Sequence, residues 1–144
     1  MSYLFEQGIQ FRNPYPYIHH QNGKVERKHR HIVETGLTLL AQADLPLKFW
    51  WNAFHTTTFF INRLPYPVLN NKSPFEMLFH KTIDYTVMRV FGCSCYLYLR
   101  PYNHHKLAFR TDKCIFIGYN SLHKDYQCLH HSGKVYISNH VVFL

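Results

Sequence analysis

The sequence lacks an apolar run long enough to cross a bilayer, a signal peptide, and any Gly-, Ser- or Pro-rich low-complexity stretch. The first two absences argue against a membrane-embedded and a secreted protein. The third, together with 47% hydrophobic and 17% aromatic residues, is typical of a chain that packs a core. A length of 144 residues suits one domain, or a domain fragment followed by a small module.

Acidic residues are also scarce in this sequence. Eight Asp and Glu stand against sixteen Lys and Arg, so the formal net charge is +8. Such an excess of positive charge favours a polyanionic partner such as nucleic acid. The alternative is a basic surface whose charge only keeps the protein soluble.

The cysteines do not show the spacing of a zinc site. Four of them fall in strand-like apolar segments: Cys93, Cys95, Cys114 and Cys128. One residue separates Cys93 from Cys95, whereas about two to four separate the paired ligands of most zinc motifs. We therefore expect reduced thiols that pack in a core.

Histidines occur twice as adjacent pairs in the second half of the chain, His104–His105 and His130–His131. Neighbouring residues of a strand point to opposite faces of the sheet. Two adjacent histidines in a strand would therefore not reach one metal ion together. We expect both pairs to lie on the surface rather than to act as ligands.

The chain opens with a short alternating segment, residues 8–12, which predicts a strand ended by the prolines of the following loop. From Asn22 the pattern becomes helical, with apolar residues at helical spacing as far as the "ADLP" that ends at Pro46. This predicts a helix of about five to six turns.

Two further helices are predicted before residue 84. Residues 47–64 are apolar on most of the helix circumference, so we expect a buried helix whose aromatic side chains belong to the core. The tetrapeptide "SPFE" at residues 73–76 has the pattern of a capping box, with proline at the first helical position. It predicts a short third helix.

The pattern changes to strands near residues 84–89. Five β-branched and aromatic runs follow at short spacing: "RVFGCSCYLYLR", "KCIFIGY", "YQCLHH", "KVYISN" and "HVVFL". The turn sequence "HSGK" joins two of them as a hairpin. Five short strands in a row predict a small closed or half-closed barrel. We therefore expect an α+β chain with a mostly helical domain, residues 1–88, and a β domain, residues 89–144.

One stretch of the first predicted helix, "QNGKVERKHRHIVE" at residues 21–34, combines a single early carboxylate with several cations. On a helix, Asn22, Glu26 and Arg30 share one side. The simplest interpretation is a solvated face on which Glu26 pairs with Arg30, an interaction worth less than about 1 kcal/mol. The alternative is an anion site at a helix N-terminus, since a glutamate in a phosphate-binding patch is typical of two-metal phosphoryl transfer.

The motifs resemble one family along nearly the whole chain. "GIQFRNPYPYIHHQNGKVERKHRHIVETGLTLLAQADLPLKFWWNAF" is similar to the end of the integrase catalytic core of copia-type LTR retrotransposon Pol polyproteins. "FINRLP", "SPFEMLF", "RVFGCSCY", "KCIFIGY", "GKVYIS" and "HVVF" continue the match in the family's order. The resemblance implies a C-terminal remnant of an RNase H-like fold, followed by an SH3-like β-barrel.

The resemblance also implies roles for single residues. Glu26 corresponds to the last carboxylate of the integrase Asp, Asp, Glu triad, which makes it a catalytic residue and a ligand of Mg²⁺ or Mn²⁺ in the intact enzyme. The residues implied to contact DNA are Asn22, Lys24, Arg27, Lys28 and Arg30. Both aspartates of the triad would precede Met1, so we expect a truncated, catalytically incomplete remnant that binds no metal ion tightly.

The family implies further expectations for this chain. Its partners would be DNA, both the retroelement ends and the target, and intact integrase copies, with no membrane. Its location would be intracellular, and nuclear if the family role is retained. Because the opening strands of the RNase H-like sheet would be missing, we expect a poorly stable or associating N-terminal half.

Three functions from different classes follow from these patterns. The first is an integrase fragment that keeps the DNA-facing surface but not catalysis. The second is a complete enzyme, which requires carboxylates beyond Glu26, and neither Glu6 nor Glu34 is placed to supply them. The third is a non-enzymatic SH3-like interaction module on a helical base.

Overall fold

The computed structural model of the protein describes residues 5–10, 22–99, 107, 109–120 and 125–144. The chain divides into two compact units, Met1–His31 and Ile32–Leu144. The strand predicted over residues 8–12 is not found at residues 8–10, where the Gly8 N–H donates to the Phe5 carbonyl across a turn. Residues 11–21, with the remainder of that strand and the predicted loop, lie outside the described residues.

Helix α1, Gly23–Gln42, confirms the first predicted helix. It ends in a left-handed residue, Asp44, at φ 50°. The Leu45 N–H bonds to the Leu40 carbonyl and the Asp44 N–H to the Ala41 carbonyl. This pair of bonds is the Schellman pattern that satisfies the last carbonyl groups of a helix.

Helix α2, Trp50–Arg63, follows a single 3₁₀ turn, Leu47–Phe49. The expectation that its aromatic residues lie in the core is wrong for both tryptophans, since Trp50 is 48% and Trp51 64% exposed. Its fully buried face consists instead of small and β-branched residues: Ala53, Thr56, Thr57 and Ile61. Small side chains are buried here because they allow neighbouring backbones to approach closely.

The contact between α1 and α2 shows this close approach. A Cβ added at Gly36 would overlap the ring of Phe54. Glycine therefore stands in α1 where the Phe54 ring of α2 packs directly on the backbone.

Helix α3, Pro74–Phe79, has the predicted capping box. The Glu76 N–H donates to Ser73 Oγ at 3.1 Å, and the Ser73 N–H donates to Glu76 Oε2 at 2.9 Å. The helix stops at His80, which has a left-handed φ of 53°. The two hydrogen bonds between Ser73 and Glu76 satisfy backbone donors that a helix start otherwise leaves to water.

Five antiparallel strands form one sheet in the order β4-β3-β2-β1-β5. Their bounds are β1 Ser94–Tyr98, β2 Thr111–Tyr119, β3 Tyr126–His130, β4 Val135–Ser138 and β5 Val141–Phe143. The turn between β3 and β4 has Gly133 at φ 81°, as the "HSGK" pattern predicts. The five predicted strands are confirmed.

The sheet is strongly curled. Tyr126 on β3 and Phe143 on β5 have ring centroids 4.9 Å apart, although two strands lie between them. In a flat sheet these strands would be about 14 Å apart, at roughly 4.8 Å for each step. The sheet is thus a half-closed barrel whose concave face holds a core that includes Leu97 and Phe116, with Phe59 and Phe60 of α2 packed against it.

The convex face of the sheet packs on the helices. Ile117 of β2 forms a second buried cluster with Leu40 of α1, Ala53 of α2 and Phe91. Asn52 Nδ2 also donates to Gln127 Oε1 at 2.7 Å, which links α2 to β3. The helices after residue 31 and the sheet therefore share one compact unit.

A β-bulge between Phe116 and Gly118 changes which side chains of β2 point to each face of the sheet. Gly118 has φ 143°, and a Cβ there would lie 2.9 Å from Thr56 Oγ1. The extra residue allows Ile117 to face the helices while Tyr119 joins the concave core, where its ring stacks on Phe59 at 3.9 Å.

The structure supports the α+β class, with helices followed by an antiparallel sheet. The RNase H-like origin of the helical part and the division into residues 1–88 and 89–144 remain predictions. In the described part of the chain, no helix is both long enough and apolar enough to cross a membrane.

Candidate functional site

The first turns of α1 carry the predicted DNA-facing residues, and we call residues 22–31 the basic segment. Every residue from Lys24 to His31 is exposed, whereas Asn22 and Gly23 are partly buried. Arg27 Nε donates to the Gly23 carbonyl at 3.1 Å, which holds its side chain along the helix. The segment therefore presents Lys24, Arg27, Lys28 and Arg30 to solvent at a helix N-terminus, where the helix dipole also favours an anion.

Glu26 lies in the middle of this segment and is itself exposed. The predicted surface ion pair with Arg30 is not formed, because the ion pairs found among the described residues both involve Asp112. None of the four cations of the segment pairs with a carboxylate of the described residues. Within that part of the chain, the positive charge of the segment is not neutralised by ion pairs.

Glu26 belongs to no group of three or more possible metal ligands among the described residues. Among the described residues, the group of side chains able to hold a metal ion contains Asp112, His130 and His131, and not Glu26. Glu34 follows eight residues later on the same helix, about 12 Å along the axis at the standard rise. A two-metal site needs several carboxylates around both ions, so the described residues do not fit one at Glu26.

A second polar cluster lies at one end of the β2–β3 pair. Asp112 Oδ2 is 2.9 Å from His130 Nε2 and 3.9 Å from His131 Nδ1. The hydrogen bond from His130 is the main cause that lowers the pKa of Asp112, and the Lys113 N–H adds to it. We call these three residues the Asp–His–His cluster.

The sequence reasoning missed this cluster, and the expectation that His130–His131 points to two faces is wrong. β3 ends at His130, and His131 already belongs to the turn. The two imidazole rings consequently lie 3.9 Å apart. The missed signal was the turn sequence "HSGK", which begins at the second histidine of the pair. His104–His105 lies outside the described residues.

The prediction of free thiols packed in a core is confirmed for three of the four cysteines, and the fourth is a free thiol that is partly buried. All four are free thiols; Cys95, Cys114 and Cys128 are buried and Cys93 is partly buried. Burial raises the pKa of the Cys114 thiol to about 11. A hydrogen bond with Cys95, at 3.7 Å between the sulfurs, and burial raise the pKa of Cys128. Cys114 and Cys128 therefore remain protonated near neutral pH and are poor nucleophiles there.

The C-terminal part of the chain matches a known domain family. The sequence model of the retroviral polymerase SH3-like domain matches residues 93–144. This range contains all five strands of the sheet. The predicted SH3-like character of the β region is confirmed.

Relatives match almost the whole chain. Over 143 residues, 99% of this chain, it is 48% identical to the retrovirus-related Pol polyprotein from transposon RE1 and 47% identical to that from transposon RE2, both of Arabidopsis thaliana. It is 34% identical over 118 residues, 82% of this chain, to the retrovirus-related Pol polyprotein from transposon TNT 1-94 of Nicotiana tabacum.

The match covers only part of each relative. The chain spans about a tenth of the length of these Pol polyproteins: 10% of the first two and 9% of the third. The similarity to the first relative, 48% identity over 99% of the chain, runs from the basic segment to the last strand. The matched SH3-like domain lies within this range. The chain therefore belongs to the copia-type retrotransposon Pol polyproteins, of which it represents one segment.

Proposed function

We propose that this chain is an integrase segment whose basic segment binds the phosphates of DNA, and that the chain alone does not catalyse strand transfer. The observation that carries the proposal is the exposure of Lys24, Arg27, Lys28 and Arg30 on one helix start, with no carboxylate of the described residues paired to them. Four exposed cations can each take the place of a counterion along a phosphate backbone.

The mode of binding follows from the chemistry of these side chains. Lysine and arginine at a helix start contact phosphate oxygens, which position a protein on DNA without reading its sequence. Binding should therefore depend steeply on salt and little on base sequence. Neutralising four phosphates would give a slope of about −3.6 in log K against log [salt] for B-DNA.

Glu26 has a different role in this proposal. By the family pattern it is the last carboxylate of the metal site, and the two aspartates are not among these 144 residues. One carboxylate cannot hold two divalent ions in the geometry of phosphoryl transfer. Glu26 on this chain is therefore a ligand that requires carboxylates from elsewhere.

DNA binding can be tested by fluorescence anisotropy with a labelled duplex of arbitrary sequence at several salt concentrations. We expect Lys24→Ala/Lys28→Ala/Arg30→Ala to weaken binding at least about tenfold at low salt and to reduce the salt slope by about 2.7. The matched control is Lys72→Ala/Lys81→Ala/Lys134→Ala, which removes the same charge from exposed positions elsewhere. Equal losses in both variants would show that only net charge matters, and would overturn the assignment to the basic segment.

Catalysis needs a separate test. The purified chain with Mg²⁺ or Mn²⁺ should give no strand transfer between labelled DNA ends and a plasmid. Strand transfer that is lost in Glu26→Gln would contradict the proposed incompleteness and support a complete enzyme.

A second candidate function is a non-enzymatic interaction module, and the order of the sheet favours it. Among the described strands, β5 lies at one end of the sheet and pairs with β1 alone. An open edge can accept a strand from a partner, such as an intact integrase copy. Two results together would favour the interaction module: the triple alanine variant binds DNA normally, and residues 89–144 fold alone and bind a protein partner.

A further inference from the structure

We propose that Asp112, His130 and His131 form a binding site for a divalent transition-metal ion of the zinc class. The site lies at the start of β2, at the end of β3 and at the turn that follows β3. It shares no residue with the basic segment and does not depend on the function proposed above.

The distances between the donor atoms suit one ion. Asp112 Oδ2 is 2.9 Å from His130 Nε2 and 3.9 Å from His131 Nδ1, and all three ligand atoms lie within 4.8 Å of one another. Ligands about 2.0–2.1 Å from a tetrahedral zinc ion are about 3.3 Å apart. The observed separations lie on both sides of that value, so a small rotation of the exposed His131 side chain toward the other two ligands would bring the three atoms closer to that geometry.

The backbone fixes two of the three ligands. His130 is the last residue of β3, and its N–H donates to the Lys134 carbonyl at 2.9 Å while its carbonyl accepts from the Gly133 N–H at 2.9 Å. Asp112 lies on β2, two residues from Cys114, the register partner of His130. These bonds hold the Asp112 and His130 side chains diagonally across one strand pair. His131, 74% exposed in its side chain, is free to move toward an ion.

Ser132 supplies the second contact that metal-bound histidines usually make. Its N–H is 3.2 Å from His130 Nδ1, so Nδ1 accepts and the Nε2–H donates to Asp112. An ion would replace that Nε2 proton; the imidazole would then carry its proton on Nδ1 and donate it to Ser132 Oγ, 2.7 Å away, in place of the bond that Nδ1 accepts from the Ser132 N–H. A metal-bound imidazole commonly donates its other N–H to such an oxygen, which fixes the ring.

The type of ligand and the surroundings indicate the type of ion. Two imidazoles and one carboxylate favour zinc, nickel or copper over magnesium and calcium, which prefer oxygen ligands alone. The three side chains also line a cavity of about 540 Å³ in the 32–144 unit. A site with three protein ligands beside a cavity leaves a fourth position for water or another small ligand.

The experiment measures binding of Zn²⁺ and Co²⁺ to the full chain. Titration calorimetry gives the zinc affinity, and the visible spectrum of bound Co²⁺ reports a four-coordinate site. We expect His131→Gln to weaken zinc binding at least about tenfold and to remove the Co²⁺ spectrum. Because His131 is exposed, this variant should keep the fold, which its circular dichroism would check.

The matched control is His140→Gln, which changes an exposed histidine at the turn before β5. It should keep the affinity and the spectrum of the wild type. Zinc should also raise the midpoint of thermal unfolding in the wild type and in the control, and not in His131→Gln. An unchanged affinity in His131→Gln, an equal loss in the control, or no zinc binding by the wild type would each overturn the proposal.

Discussion

The basic segment and the sheet of this protein use their residues in opposite ways. From Lys24 to His31 every side chain is exposed, and the cations carry no ion-pair partner among the described residues. In β2, by contrast, Cys114, Phe116, Ile117 and Tyr119 are all buried. The sheet supplies stability through apolar burial, whereas the basic segment supplies exposed positive charge.

The difference shows where function can be changed without loss of the fold. Surface substitutions away from special features usually change stability by less than about 0.5 kcal/mol. Core substitutions cost several times more. Four predictions, ordered from the largest expected effect on stability to the smallest, test this difference.

The largest effect is expected for Phe116→Ala. Phe116 is fully buried, and its ring contacts Tyr119, Tyr126 and Phe143. Removing it should destabilise the protein by about 3–5 kcal/mol, measured by urea unfolding. Glu26→Gln, in the basic segment, should stay within about 0.5 kcal/mol of the wild type. Similar losses of unfolding free energy in the two variants would contradict the difference between the sheet and the basic segment.

Two glycines make a matched pair across the two regions. Gly118→Ala introduces a Cβ at φ 143° that would lie 2.9 Å from Thr56 Oγ1, so we expect a loss of about 1–3 kcal/mol. A Cβ at Gly23, the first residue of α1, meets no atom within 4 Å. Gly23→Ala should leave the midpoint of urea unfolding nearly unchanged. A tolerated Gly118→Ala would mean that the bulge is not required.

A smaller effect is expected at the start of α3. Ser73→Ala removes the hydroxyl that accepts from the Glu76 N–H, and N-cap substitutions of this kind cost about 1 kcal/mol. Ser73→Thr, which keeps the hydroxyl acceptor, should recover part of the loss in a thermal melt. An unaltered melting temperature in Ser73→Ala would show that water replaces the cap.

The smallest effect is the acid dependence due to Asp112. The pKa of this carboxyl is lowered in the folded protein, chiefly by the hydrogen bond from His130. Its stabilising contribution is therefore fully present above the unfolded pKa, about 3.9, and is lost as the pH falls through the lower folded pKa. His130, His131 and the backbone N–H of Lys113 face this carboxylate.

Urea unfolding at about pH 6 and pH 3 would measure this contribution. Asp112→Asn should lose less stability between the two pH values than the wild type does. An identical acid dependence in both proteins would show that the pair with His130 contributes nothing to stability.

Features set by neighbouring residues could be predicted from the sequence. The capping box needs only Ser73 and Glu76, and the β3–β4 turn needs only "HSGK", so both are as predicted. The five strands also follow local composition. The spacing of apolar residues placed Glu26 and the cations on the first helix, where the structure also has them.

Features set by distant residues could not be predicted in this way. Residues 47–64 are apolar on most sides, so the pattern does not say which side meets the sheet; the structure buries Thr56 and exposes Trp51. The Asp–His–His cluster depends on the register of β2 with β3 and on the residue at which β3 ends. Neither is visible in the spacing of the histidines.

The bulge in β2 has a consequence for how the 32–144 unit loses its structure. Adjacent residues of this strand serve two separate cores: Phe116 lies in the concave one, and Ile117 lies in the one that it forms with Leu40 of α1 and Ala53 of α2. Melting either core releases the strand on which the other is built. The helices and the sheet of this unit should accordingly unfold together, in one cooperative transition with the same midpoint for both.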